Sequence, residues 1–87
     1  MLKMKKIIEE MDWNEFYFRY THNFEEFNFK YRNWIITLCY GKKGTFAYNI
    51  VEDKKVIEYK EYSSPFELLK NARFNNFKLN EIYDELY

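Results

Sequence analysis

The chain has 87 residues, a length that suits one domain with one core, and nine Phe, nine Tyr and two Trp make up 23% of it. Rings that bury about 150–250 Å² each can close a core in so short a chain, so the composition excludes a disordered segment. The 14 Lys and Arg match the 14 Asp and Glu, which excludes an overall basic nucleic-acid binder and a strongly acidic mimic of nucleic acid.

Leu2 to Asp12 reads as a short amphipathic helix, with Leu2, Ile7, Ile8 and Met11 near one face. It lacks an apolar run of signal-peptide length, and no segment reaches the roughly 20 apolar residues that span a bilayer. The bias toward Lys, Asn, Ile, Glu, Tyr and Phe, with Ala only at 47 and 72, suggests an AT-rich genome, so the expected location is the cytoplasm of a bacterial host, with no membrane partner. The period then changes. Phe16, Phe18 and Tyr20 alternate with Glu15, Tyr17 and Arg19, which predicts a half-buried strand. A second alternation runs through Phe27, Phe29 and Tyr31. At Arg32-Asn33 the phase slips by one residue, so a turn or bulge belongs there before the row Trp34, Ile36, Leu38 and Tyr40.

Gly41-Lys-Lys-Gly44 is a hairpin signal, its glycines suited to positive φ. Phe46, Tyr48 and Ile50 should point inward on the next strand. Glu52 to Lys55 makes a polar turn ahead of a strand from Val56 to Tyr62. Ser64-Pro65-Phe66-Glu67 then starts a helix, with Ser64 as N-cap, Pro65 at the first helical position and Glu67 closing a capping box. Phe66 and Leu69, with Ala72 or the Arg73 stem, should face the sheet. Asn75-Asn76 reads as a turn, and Leu79, Ile82, Tyr83 and Leu86 as the apolar stripe of a last helix. Together these describe one α+β domain over residues 1–87. It is an antiparallel four- to five-stranded meander with an N-terminal helix and two short C-terminal helices.

The residues that carry chemistry are sparse. Cys39 is the one cysteine; it rules out an intramolecular disulfide and a zinc site of several cysteines, and its apolar surroundings suit a core thiol. His22 is the one histidine and reads as a solvated turn residue. The carboxylate pairs Glu9-Glu10, Glu25-Glu26 and Glu52-Asp53 are sequence neighbours at surface positions, which seldom point into one site. No Gly-rich phosphate loop is present. The reading is a non-enzyme without catalytic, cofactor-binding or metal-binding residues.

Two surface patches remain. Tyr17, Arg19, Asn28, Lys30 and Arg32 would share the outer face of the first two strands, with Lys42 and Lys43 at a hairpin tip. Tyr17, Arg19, Lys30, Arg32, Lys42 and Lys43 are thus the candidate partner-binding residues. Aromatic and basic groups on a sheet suit single-stranded nucleic acid, and an ordinary polar sheet face has the same pattern. Glu52, Asp53, Glu58 and Glu61, with Glu81, Asp84 and Glu85 at the C-terminus, form an acidic patch interrupted by Lys54, Lys55 and Lys60. Tyr17, Tyr40, Tyr59, Tyr62, Tyr83 and Tyr87 exceed what so small a core can hold, and tyrosine is enriched at protein interfaces. Tyrosine standing in for Phe at the core rim explains the surplus equally well.

The layout Glu15-Phe-Tyr-Phe-Arg-Tyr20, Ser63-Ser-Pro-Phe-Glu-Leu-Leu-Lys-Asn71 and Leu79-Asn-Glu-Ile-Tyr-Asp-Glu-Leu86 resembles very short accessory proteins of phages and mobile elements from AT-rich bacteria. Some of these are anti-CRISPR and other anti-defence inhibitors. That resemblance implies stoichiometric binding to a larger protein such as a bacterial defence nuclease complex. The chain departs from the acidic members of that group by being neutral. A small single-stranded nucleic-acid-binding module is the alternative. Self-association through the edge strand Val56 to Tyr62 is also open.

Overall fold

A computed structural model describes residues 11–87. The helix expected over Leu2 to Asp12 lies almost wholly outside the described residues. The first described helix, α1, is Trp13–Thr21, where the alternation of Phe16, Phe18 and Tyr20 predicts a strand. Local bonds favour the helix. Asp12 caps it, its Oδ1 accepting from the Glu15 N–H at 2.9 Å. Arg19 pairs with Glu15 one turn back at 2.7 Å, and Thr21 Oγ1 donates to the Tyr17 carbonyl at 2.7 Å. Helical spacing buries Phe16 and Tyr20 and turns Tyr17 and Phe18 outward.

Four strands follow: β1 (Phe27–Tyr31), β2 (Trp34–Tyr40), β3 (Phe46–Glu52) and β4 (Lys55–Tyr62). They form one antiparallel meander in the order β1-β2-β3-β4. The register stacks Phe27, Leu38 and Tyr48 in one row and Phe29, Ile36 and Ile50 in the next. All six are buried. The phase slip at Arg32-Asn33 is a two-residue turn in which Arg32 takes φ 56°. Asp53 and Lys54, at φ 54° and 66°, turn β3 into β4.

The Gly41–Gly44 hairpin works differently from the expectation that both glycines supply positive φ. Lys43 (φ 57°) and Gly44 (φ 78°) do so. Gly41 has φ −95° and is needed for space, because a Cβ there would lie 2.3 Å from Thr45 Oγ1 and 2.8 Å from the Glu61 side chain.

The chain then forms α2 (Pro65–Asn71) and α3 (Leu79–Ile82), the latter running into a 3-10 turn at Tyr83–Glu85. Ser64 caps α2, its Oγ accepting from the Glu67 N–H at 3.1 Å. The Glu67 carboxylate turns instead to the Asn71 amide at 2.9 Å, so the second half of the expected capping box is replaced. Leu68, Leu69 and Ala72 face the core. Phe66, expected there, is 48% exposed. Asn75 and Asn76 make a tight turn at φ 56° and 71° between bridged Phe74 and Phe77. Leu79, Ile82, Tyr83 and Leu86 are all buried, as their spacing predicts.

The helices cover one face of the sheet. Phe16 lies against Phe27 and Phe29 of β1 (ring centroids 5.0 and 5.4 Å) and against Tyr83 (5.5 Å). Tyr83 donates to the Met11 carbonyl at 2.9 Å, joining the two ends of the described chain. At the β1 edge, Lys30 and Tyr87 exchange both backbone hydrogen bonds at 2.7 and 3.1 Å. No described helix is long and apolar enough to cross a membrane.

Because α1 is a helix, Phe16 and Phe18 face different ways, whereas in a strand they would share a face. Phe16→Ala should cost about 3–5 kcal/mol in urea unfolding, and Phe18→Ala no more than about 0.5 kcal/mol. The core tyrosines give a second test. Burial, with Asp12, Glu15 and Asp84 adding to it, lifts the Tyr83 hydroxyl from 10.0 to about 12. Its contribution is therefore intact below the unfolded value and is lost as pH climbs through the folded one. Tyr83→Phe should cost about 1 kcal/mol at neutral pH and reduce the alkaline fall in the urea midpoint. Tyr20→Phe should cost nothing at neutral pH, because the buried Tyr20 hydroxyl has no hydrogen-bond partner among the described residues.

Candidate functional site

The six residues chosen from sequence do not form one surface. Tyr17 and Arg19 belong to α1, in the layer over the covered face of the sheet, because the segment that carries them is helical. Lys30 lies on β1 with its side chain on the opposite face, beside Tyr87 at 6.0 Å from the ring centroid. Arg32 sits in the β1–β2 turn with its guanidinium 5.1 Å from the Tyr31 ring centroid. Lys42 and Lys43 are at the other end of β2. Seven residues of strand separate that end from Arg32, about 20 Å. The basic stripe expected on one sheet face is thus split between two layers and two ends.

A different set of side chains does come together. Phe18 and His22 lie one turn apart on α1 and stack with centroids 4.8 Å apart and planes 13° from parallel. Phe66, at the start of α2, sets its ring at 6.2 Å from Tyr17 and 6.4 Å from His22, edge to face in both cases. Half-buried Trp13 continues the strip at 6.1 Å from Tyr17. Tyr17, Phe18 and Phe66 are 36%, 54% and 48% exposed, so these rings form a solvent-facing aromatic surface across two helices. Pro65 is buried and fixes the start of α2, so that Phe66 at the next position projects toward α1. The Glu15–Arg19 pair on α1 supplies a charged border.

Of the sequence-chosen residues, only Tyr17 is part of this strip. In the sequence Phe18 and Phe66 read as core residues because each fits an apolar alternation or stripe. The signal that distinguishes them is helical: Phe18 falls about 200° around α1 from Phe16, and Phe66 lies off the Leu68–Leu69–Ala72 face.

The uncovered face of the sheet is a second surface. Its β2–β3–β4 row is Ile35, Val51 and Val56, and a bulge leaves Ile57 extra beside Val56 opposite Val51. Ile35, Val56, Ile57 and Tyr59 are exposed. Cys39 also lies on this face, half-buried and outside the core where its apolar neighbours had placed it. Burial, then the nearby Glu26, pushes its thiol above the ordinary value, which disfavours the reactive thiolate.

Few features favour a small-molecule site. A cleft of about 150 Å³ lies among Tyr31, Arg32, Trp34, Glu52 and Asn75, below the range of about 300–1,000 Å³ usual for ligand pockets. It is braced by the Trp34 Nε1–H donating to Glu52 at 3.1 Å. Among the described residues, no group of three or more His, Cys, Asp and Glu side chains is placed to hold a metal ion. His22 caps the C-terminal end of α1, with its Nδ1 2.9 Å from Thr21 Oγ1.

No protein-family model, curated protein or solved structure matches this chain.

Proposed function

We propose that this chain is a non-catalytic inhibitor that binds a larger protein stoichiometrically in the cytoplasm of a bacterial host, in the manner of anti-CRISPR and other anti-defence proteins. The observation that carries the binding reading is the exposed strip Tyr17–Phe18–His22–Phe66. Clustered exposed rings on a small domain supply contact area at low entropic cost, and such rings dominate interface energetics. The scaffold is suited to this: the strip lies on helices fixed from beneath by buried Phe16, Leu68 and Leu69. The defence effector as target rests on the resemblance in layout. The uncovered sheet face offers less to single-stranded nucleic acid. Lys30 heads the row Ile35, Val51 and Val56, Tyr59 lies in the next row opposite Asn49, and the other cations among the described residues lie elsewhere.

The test is capture of partners by the tagged chain from nuclease-treated bacterial lysate containing defence effectors. The expected result is a discrete stoichiometric protein that resists nuclease. Its affinity should fall at least about 30-fold with Phe18→Ala and Phe66→Ala combined and stay near wild type with Lys42→Glu and Lys43→Glu combined. Loss of every partner on nuclease treatment, or full binding by the aromatic double variant, would contradict the proposal.

A further inference from the structure

We infer that β4 is the pairing edge of a homodimer, in which the strand meets its own copy antiparallel about a twofold axis through Tyr59. β4 is eight residues long, and all but its last residue, the half-buried Tyr62, are exposed. Among the described residues only β3 pairs with it. Such an edge presents unpaired backbone N–H and C=O groups, which make it a template for another strand.

Symmetry and charge favour a register centred on the regular part of the strand. A twofold perpendicular to the sheet keeps each face on the same side, so a residue of β4 can oppose only residues of its own face. The axis must then pass through one residue of the strand. Centring it on Glu58, Lys60 or Glu61 would set like charges directly against each other. Centring it on Tyr59 opposes Glu58 to Lys60 of the second copy and Lys60 to Glu58 of the second copy. Glu58 and Lys60 lie opposite Ile50 and Tyr48, so both are on the helix-covered face. Tyr59 lies opposite Asn49, on the uncovered face, where it would meet its counterpart as a cross-strand aromatic pair. Charges on an edge strand usually discourage pairing, but here their alternation matches the strand to itself.

The bulge beside Val51 lies to one side of Glu58–Lys60, so this central segment stays regular. At the opposite edge, Lys30 of β1 exchanges backbone hydrogen bonds with Tyr87, so among the described residues β4 is the more open edge. Twofold pairing of one edge with its own copy gives a closed pair instead of a growing fibre. The product is an eight-stranded sheet whose helical aromatic strips both stay exposed, so dimerisation and partner binding use separate surfaces.

Sedimentation equilibrium over a range of concentrations tests this. The wild-type chain should be dimeric. Lys60→Glu, which sets carboxylates against each other on both sides of the axis, should weaken the dimer at least about tenfold. Adding Glu58→Lys to Lys60→Glu should restore it. Because Glu58 also accepts the Tyr48 hydroxyl, circular dichroism must show each variant folded. Concentration-dependent amide protection within Ile57–Glu61 of the wild type gives a readout that needs no variant. A monomer at every soluble concentration, protection unchanged by concentration, or a folded Lys60→Glu chain that dimerises like wild type would each overturn the inference.

Discussion

Phe16 sits where the three parts of the core meet. Its ring stacks on Tyr20 within α1, meets Phe27 and Phe29 of β1 edge-on, and touches Tyr83 after α3. Rings in tilted and edge-to-face contact gain more than their buried area alone provides. This matters in a chain with Gly and Pro nearly absent and a small core. The placement also sets the outer surface. With Phe16 against the sheet, the helical period leaves no choice for Tyr17 and Phe18, which must face away from it.

The sheet is covered on one side only, and that asymmetry organises the rest. Inward rows are filled with Phe, Tyr, Ile and Leu, and an antiparallel sheet tolerates a solvent-facing side. What is unusual is how apolar that side remains across Ile35, Val51 and Val56. The molecule therefore shows two apolar surfaces of different character. The helical strip is aromatic. The sheet face is aliphatic across Ile35, Val51 and Val56, and it ends at the exposed edge of β4. Assigning partner binding to the first and self-association to the edge of the second lets both operate together.

Much of the fold is legible in sequence because its strands alternate cleanly and its turns carry strong residues. The phase slip at Arg32-Asn33, the polar turn at Asp53-Lys54, the Ser64 cap and the Asn75-Asn76 turn all lie where their chemistry places them. The segment Trp13–Thr21 is misread for a physical reason. With apolar rings at 13, 16, 17, 18 and 20, periods of both 2 and 3.6 find matches. Asp12 with the Glu15 N–H and the Glu15–Arg19 pair decide for the helix, and neither shows in an apolar pattern. Read as a strand, the segment puts Tyr17 and Arg19 on the sheet beside Lys30 and Arg32, a basic patch that the helix dissolves. Phe66 fits the apolar stripe of α2 in the sequence, yet it is exposed. Its exposure depends on the contact between α1 and α2, which no local period encodes.

The central claim is that the helical aromatic strip, and not the open sheet face, meets the partner protein. The most direct measurement replaces Phe66, and in a separate chain Ile35, with a photoreactive benzoylphenylalanine and irradiates each in bacterial lysate containing defence effectors. The account predicts a discrete protein adduct from position 66 and none from position 35. An adduct from position 35 alone would contradict it, and would move the partner interface to the uncovered face of the sheet.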